Sequence, residues 1–125
     1  MKKIISTEKA PKAIGPYSQA VSCGELLFVS GQLPLDPQTG TMPKDIKEQT
    51  EAVLKNIKAV AQAAGTSMEN ALKTTVYMTD LSLFSQMNEK YSEFFSSNPP
   101  ARATVEVKAL PKGAAVEIEA IFKLP

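Results

Sequence analysis

The chain has 125 residues, with 14 Lys and Arg against 13 Asp and Glu, a formal net charge of +1, one cysteine and no histidine. That length suits one domain, residues 1–125, with a core that needs no staples, and the near-neutral charge leaves no electrostatic footprint for nucleic acid. A lone cysteine excludes an internal disulfide, and the missing histidines remove the usual zinc and copper ligand sets together with Ser-His-Asp and Cys-His nucleophilic systems.

The opening run Met1-Lys2-Lys3-Ile4-Ile5-Ser6 has too short an apolar stretch for a secretory signal. No run approaches membrane-spanning length, so no membrane partner is expected and the expected compartment is the cytoplasm. Ile4-Ile5 begins a short strand, Pro11 to Pro16 forms a loop, and Tyr17–Ser22 and Leu26–Ser30 make a hairpin around Cys23-Gly24-Glu25. Cys23 lies at a strand end with no adjacent cation and reads as chemically incidental. Two motifs join a glycine to polar or aromatic groups, Ile14-Gly15-Pro16-Tyr17-Ser18-Gln19-Ala20 and Val29-Ser30-Gly31-Gln32-Leu33-Pro34. Gly31 would let a ligand approach the backbone and Tyr17 offers an aromatic wall with a hydroxyl tip. Taken alone, both segments are better read as ordinary glycine turns.

Pro34, Pro37, Gly40 and Pro43 mark a loop, after which Asp45-Ile46-Lys47-Glu48 resembles a capping box. The helix that follows runs to about Ala64, with Ile46, Val53, Leu54, Ile57, Val60 and Ala61 at three- and four-residue spacing and Gly65 as its stop. Leu72–Thr79 reads as a strand with Thr74, Val76 and Met78 on one face and Thr75, Tyr77 and Thr79 on the other. A second helix, about Leu83 to Phe95, carries Phe84, Met87, Tyr91, Phe94 and Phe95 on one side, with Asn88 at the edge of that stripe.

In the last quarter, Pro100–Val107 and Val116–Phe122 flank Pro111-Lys112-Gly113 and read as an antiparallel hairpin. Parity then expects Val105, Val107, Val116, Ile118, Ala120 and Phe122 on a core face, and Arg102, Thr104, Glu106, Lys108, Glu117 and Glu119 on a polar face. Pro99-Pro100 stiffens the approach to Arg102, as the mounting of a functional arginine would require. The element order is β-β-β-α-β-α-β-β, an α+β fold with both helices on one sheet face and the other face bare. Such a face meets water or packs against copies of itself.

Ile14-Gly15-Pro16-Tyr17-Ser18-Gln19, Ser30-Gly31-Gln32, Asn88, Pro100-Ala101-Arg102 and Val116-Glu117-Ile118 occur in an order and spacing similar to those of the RidA/YjgF family of imine and enamine deaminases. The resemblance covers essentially the whole chain. It implies a chorismate-mutase-like mixed sheet with two helices on one face, a homotrimer with clefts between subunits, and no cofactor or metal. The implied activity is hydrolysis of 2-iminobutanoate and 2-iminopropanoate to 2-oxo acids and ammonia. Arg102 would then grip the substrate carboxylate and Glu117 would place the water, both as catalytic residues. Tyr17, Ser30, Gly31 and Asn88 would shape the cleft. Many relatives have a cysteine two residues after the arginine; Thr104 stands there in this chain, so a thiol role is excluded and a hydroxyl remains. Glu119 shares a strand face with Glu117, and only the resemblance separates the two acids. The leading alternative is a non-catalytic trimer that binds carboxylate metabolites. A ribonuclease role ranks below it for want of histidine, and a chorismate mutase would share the fold but not the motifs.

Overall fold

The computed structural model describes residues 1–125, and its six strands follow the alternating runs: β1 (Lys2–Ile5), β2 (Ala20–Cys23), β3 (Leu26–Gln32), β4 (Ala71–Met78), β5 (Ala101–Glu106) and β6 (Val116–Lys123). Two helices interrupt them, α1 (Ile46–Ala63) and α2 (Phe84–Phe94). Asp45 caps α1 as expected, its carboxylate accepting the Glu48 amide at 3.1 Å, which satisfies one of the orphan donors of the first turn. Gly65, at φ +89°, takes the left-handed conformation that ends the helix.

The strands form one sheet in the order β1-β2-β3-β6-β4-β5. Every neighbouring pair is antiparallel except β4 and β5, which are parallel. The expected hairpin between the last two strands is therefore absent: β4 lies between β5 and β6. The chain from Val107 to Ala115 makes no tight turn but passes through a single 3-10 turn at Pro111–Gly113. Burial explains the outcome. Val116, Ile118, Ala120 and Phe122 are all buried, which suits β6 to the middle of the sheet, whereas β5 follows two prolines and has no fully buried residue, which suits it to an edge. The α2 crossover supplies the long connection that a parallel β4–β5 pair needs.

Both helices cover one face, as expected. Val53, Leu54, Ile57 and Val60 of α1 and Met87 and Tyr91 of α2 join Leu27, Val76, Ile118 and Phe122 of the sheet in one apolar cluster. The opposite face carries exposed apolar side chains, among them Ile4, Leu26, Phe28 and Val105. The register of β5 against β4 reverses the expected facing of this strand. Arg102, Thr104 and Glu106 stand beside Thr74, Val76 and Met78, which are buried toward the helices. Arg102 and Thr104 thus point to the helix side and Val105 to the bare side. For β6 the expected parity holds, with Glu117 and Glu119 on the bare side.

Buried amides lock the loops to this frame. Gln19 accepts the Thr7 amide at 2.7 Å and donates to the carbonyls of Thr7, Ala10 and Pro11. Asn56 donates to Leu33 and Leu35, and Gln49 ties Pro43 to Ala115. Gln19→Leu leaves those groups without their partner and is expected to destabilise the protein by about 1–3 kcal/mol. A lowered urea midpoint with faster proteolysis near residues 7–11 is the result that checks it.

Candidate functional site

The residues singled out in the sequence gather into two groups that lie apart. The first is built on β5 and α2. Arg102 leans from the edge strand over the rings of Tyr91 and Phe84, its guanidinium carbon 4.7 Å and 5.4 Å from their centroids, and Nη1 donates to Asn88 Oδ1 at 2.7 Å. Phe84, Asn88 and Tyr91 are spaced four and three residues apart, so helical geometry puts them on one side of α2 as a bed for the guanidinium. The Tyr91 hydroxyl is in turn fixed by Thr74 Oγ1 at 2.6 Å. Burial raises the Tyr91 pKa, against the lowering effect of the Thr74 hydrogen bond and the Arg102 charge, so this ring stays a neutral surface. The chain's ion pairs are Lys47–Glu89, Lys55–Glu51, Lys90–Glu93 and Lys123–Glu25. Arg102 takes part in none of them, and its guanidinium keeps donors for an incoming anion. Two residues along, Thr104 Oγ1 is buried with no hydrogen-bond partner.

The second group surrounds Glu117 on the bare face. The β3–β6 register passes from Val29 opposite Ala120 to Gln32 opposite Ile118, three residues against two, so Ser30-Gly31 forms a bulge. A Cβ at Gly31 would meet the Glu117 carboxylate, so any larger residue there would have to push that side chain aside. Ser30 ties the bulge to the loop carrying Tyr17: its hydroxyl donates to Ser18 O, and its amide donates to Gln19 O at 2.9 Å. Tyr17 itself is 55% exposed, open to a ligand or a neighbouring chain.

Burial first, and the charge of Glu119 second, raise the Glu117 pKa above the ordinary carboxylate value. Ionised Glu117 therefore costs the folded state. Its contribution to stability is fully present below the unfolded pKa and is lost as pH rises through the raised folded value. Glu117→Gln removes that loss. At fixed protein concentration its melting temperature should exceed that of the native protein at pH 7–8, with the gain vanishing below about pH 4. An equal shift at both pH values would show that the gain does not come from ionisation.

Arg102 and Glu117 lie on opposite faces of the sheet. In register, Arg102 aligns with Thr74 and Thr74 with Ala120, three residues from Glu117 and two strands across. That places their Cα atoms roughly 14 Å apart, from strand spacings of about 4.8 Å and a rise of about 3.3 Å per residue. A hollow of about 480 Å³ between the C-terminal ends of α1 and α2, lined by Lys58, Gln62, Glu93 and Phe94 among others, includes neither residue. Sequence reasoning missed Phe84 and Tyr91 as the support of Arg102. Their helical spacing with Asn88 was visible, but the facing of β5 was not. Gln19 and Gln32, both part of the matching motifs, are buried and serve the frame.

No group of three or more His, Cys, Asp or Glu is placed to hold a metal ion, and no helix is long and apolar enough to cross a membrane. A six-stranded mixed sheet with two helices on one face, an arginine bedded on α2 and a glutamate against a glycine bulge place the chain in the α+β class. The family model described as Endoribonuclease L-PSP matches residues 7–123. A RutC family protein of Pyrococcus horikoshii is 55% identical over 97% of each chain. TdcF of Escherichia coli K12, provisionally named a reactive intermediate deaminase, is 48% identical over 97% of this chain and 96% of its own. The crystal structure of E. coli TdcF with bound serine superposes with a TM-score of 0.95 at 46% identity, covering 98% of this chain and 99% of that one. RidA from an Antarctic Psychrobacter also gives 0.95, at 48% identity, over 98% and 99%. The chain belongs to the RidA/YjgF family and has its fold.

Proposed function

We propose that this protein is a reactive-intermediate deaminase that hydrolyses 2-imino and enamino acids, 2-iminobutanoate and 2-iminopropanoate among them, to 2-oxo acids and ammonia. The observation that carries this reading is Arg102, held over the rings of Tyr91 and Phe84, oriented by Asn88 and in no ion pair with a carboxylate of its own chain. A planar guanidinium so placed can take a substrate carboxylate through two parallel charge-assisted hydrogen bonds. Glu117, with its raised proton affinity, suits the second task, holding a water and accepting its proton.

In this scheme the oxygen of water bonds to the iminium carbon, the C=N electron pair moves to nitrogen, and the water proton passes to Glu117. Glu117 returns that proton to the amine nitrogen, the C–N bond breaks, and the carbinol proton leaves with the nitrogen as ammonium. A protonated imine is already electrophilic, so positioning supplies most of the acceleration. Because the two residues face opposite sides of one sheet, the complete site pairs Arg102, Asn88 and Thr104 of one subunit with Glu117, Gly31, Ser30 and Tyr17 of another, in a homotrimer. The exposed apolar face offers surface for that assembly.

Generating 2-iminobutanoate in place with a threonine dehydratase, and following 2-oxobutanoate or ammonia release, tests the activity. Faster release at catalytic protein concentrations is the expected result. No acceleration, with tight binding of 2-oxobutanoate, would favour a non-catalytic metabolite-binding trimer. The serine bound in the TdcF crystal structure, a carboxylate without an imine, speaks for that second reading. The Endoribonuclease description of the family gains no support from a chain with no histidine and a net charge of +1.

A further inference from the structure

On the bare face, β4 and β6 carry a polar row whose connections are uneven. The antiparallel register sets Tyr77 opposite Glu117 and Thr75 opposite Glu119. Tyr77 does not bond its direct neighbour. Its hydroxyl runs diagonally and donates to Glu119 Oε1 at 2.8 Å, a cross-strand reach that aromatic side chains manage. Glu117 and Glu119 are successive outward positions of one strand, about 7 Å apart at Cα. Of the two, only Glu119 receives the Tyr77 hydroxyl as a donor.

We propose that Tyr77 and Glu119 are positioning residues for Glu117: the Tyr77 hydroxyl fixes the Glu119 carboxylate in place on the same strand face, and that neighbouring group makes Glu117 the carboxylate that takes up the proton of the attacking water. The inference rests on the deaminase reading above. In the addition step the water O–H bond breaks as the C–O bond forms, the proton joins a Glu117 oxygen, and Glu119 neither gains nor loses one. Two neighbouring carboxylates whose surroundings differ in this way can take different parts in one reaction. The pKa directions agree. Glu119 adds to the effect of burial on Glu117, while donation to Glu119, then burial, raises Tyr77, so the phenol keeps its proton.

Within its own chain the groups facing Glu117 are few, and across the proposed subunit boundary Arg102 is the cation that would join them. β6 supplies Glu119, β4 supplies Tyr77, and β3 supplies Ser30 and Gly31, which carry no charge. Lys73 stands at the far end of the row, its ammonium on Thr75 Oγ1 at 3.1 Å.

The test is the pH profile of kcat/KM for the native protein, Glu119→Gln and Tyr77→Phe, paired with a carbon-13 carboxyl NMR titration of Glu117 in each. Removing the neighbouring charge should move the acid limb of Glu119→Gln to lower pH. Activity at pH 5 relative to pH 8 should rise about threefold, and Glu117 should titrate at lower pH. Tyr77→Phe should move both readouts in the same direction by less. A drop in activity that is uniform across pH, with the NMR titration unmoved, would overturn the proposal and leave the Tyr77–Glu119 bond as a stitch between strands. If the native protein hydrolyses no imine, the titration alone decides: a shift upholds the charge pairing while the deaminase reading falls, and no shift removes both.

Discussion

Arg102→Lys is expected to lower kcat/KM for 2-iminobutanoate by roughly 30- to 150-fold while leaving the fold intact. The charge is kept, so the loss measures geometry. Lysine presents a compact ammonium that cannot spread a planar fork over Tyr91 and Phe84 or donate to Asn88 and both oxygens of a carboxylate in one plane. Losing one charge-assisted hydrogen bond and the fixed orientation costs about 2–3 kcal/mol, which converts to that range at about 1.4 kcal/mol per tenfold. Steady-state kinetics with imine generated in place, beside circular dichroism of the variant, gives the answer. Near-native turnover would remove Arg102 from the carboxylate-binding role.

Glu117→Ala and Arg102→Ala should each lower turnover by about 10²- to 10⁴-fold, the range for a lost acid–base or electrostatic group. Mixed and allowed to exchange subunits, the two dead proteins should recover activity. In a cyclic trimer assembled at random from equal parts, about a quarter of the boundaries join an intact Arg102 to an intact Glu117. A recovered rate near a quarter of native is therefore the expected result. A mixture that stays inactive after mass spectrometry has shown exchanged subunits would rule out a shared site, as would an active monomer in sedimentation.

Local pattern carried most of the architecture. The apolar spacing from Ile46 to Ala61, the Asp45 cap and the alternation of Thr74, Val76 and Met78 against Thr75 and Tyr77 each helped to locate an element, because those signals lie within one segment. The pairing of β5 was not legible in the same way. Arg102-Ala103-Thr104-Val105-Glu106 alternates equally well with either parity toward the core, and at a sheet edge Val105 can point away from the helices. Its facing is decided by the register against β4, a contact with residues almost thirty positions earlier. The same limit hid the site. The family motifs marked Arg102 and Glu117, but their separation onto two faces follows from the registers of β5 and β6 against β4. The Ser30-Gly31 bulge, which sets the glycine against Glu117, exists only once β3 and β6 are in register.

The position of β6 bears on how the protein is made. It bridges β3 and β4, yet it leaves the ribosome after every other strand. Before it arrives, β4, α2 and β5 can form a compact unit from contacts local in sequence, while β1, β2 and β3 remain a three-strand meander with an unpaired edge. The β3–β6 ladder joins residues as far apart as Leu26 and Lys123, so closing it is the high-contact-order step expected to limit the folding rate. Until then the edges of β3 and β4 stay open to pairing with other chains. Nascent chains stalled before Val116 should therefore be the aggregation-prone species, and release of the segment through Lys123 the event that commits the sheet.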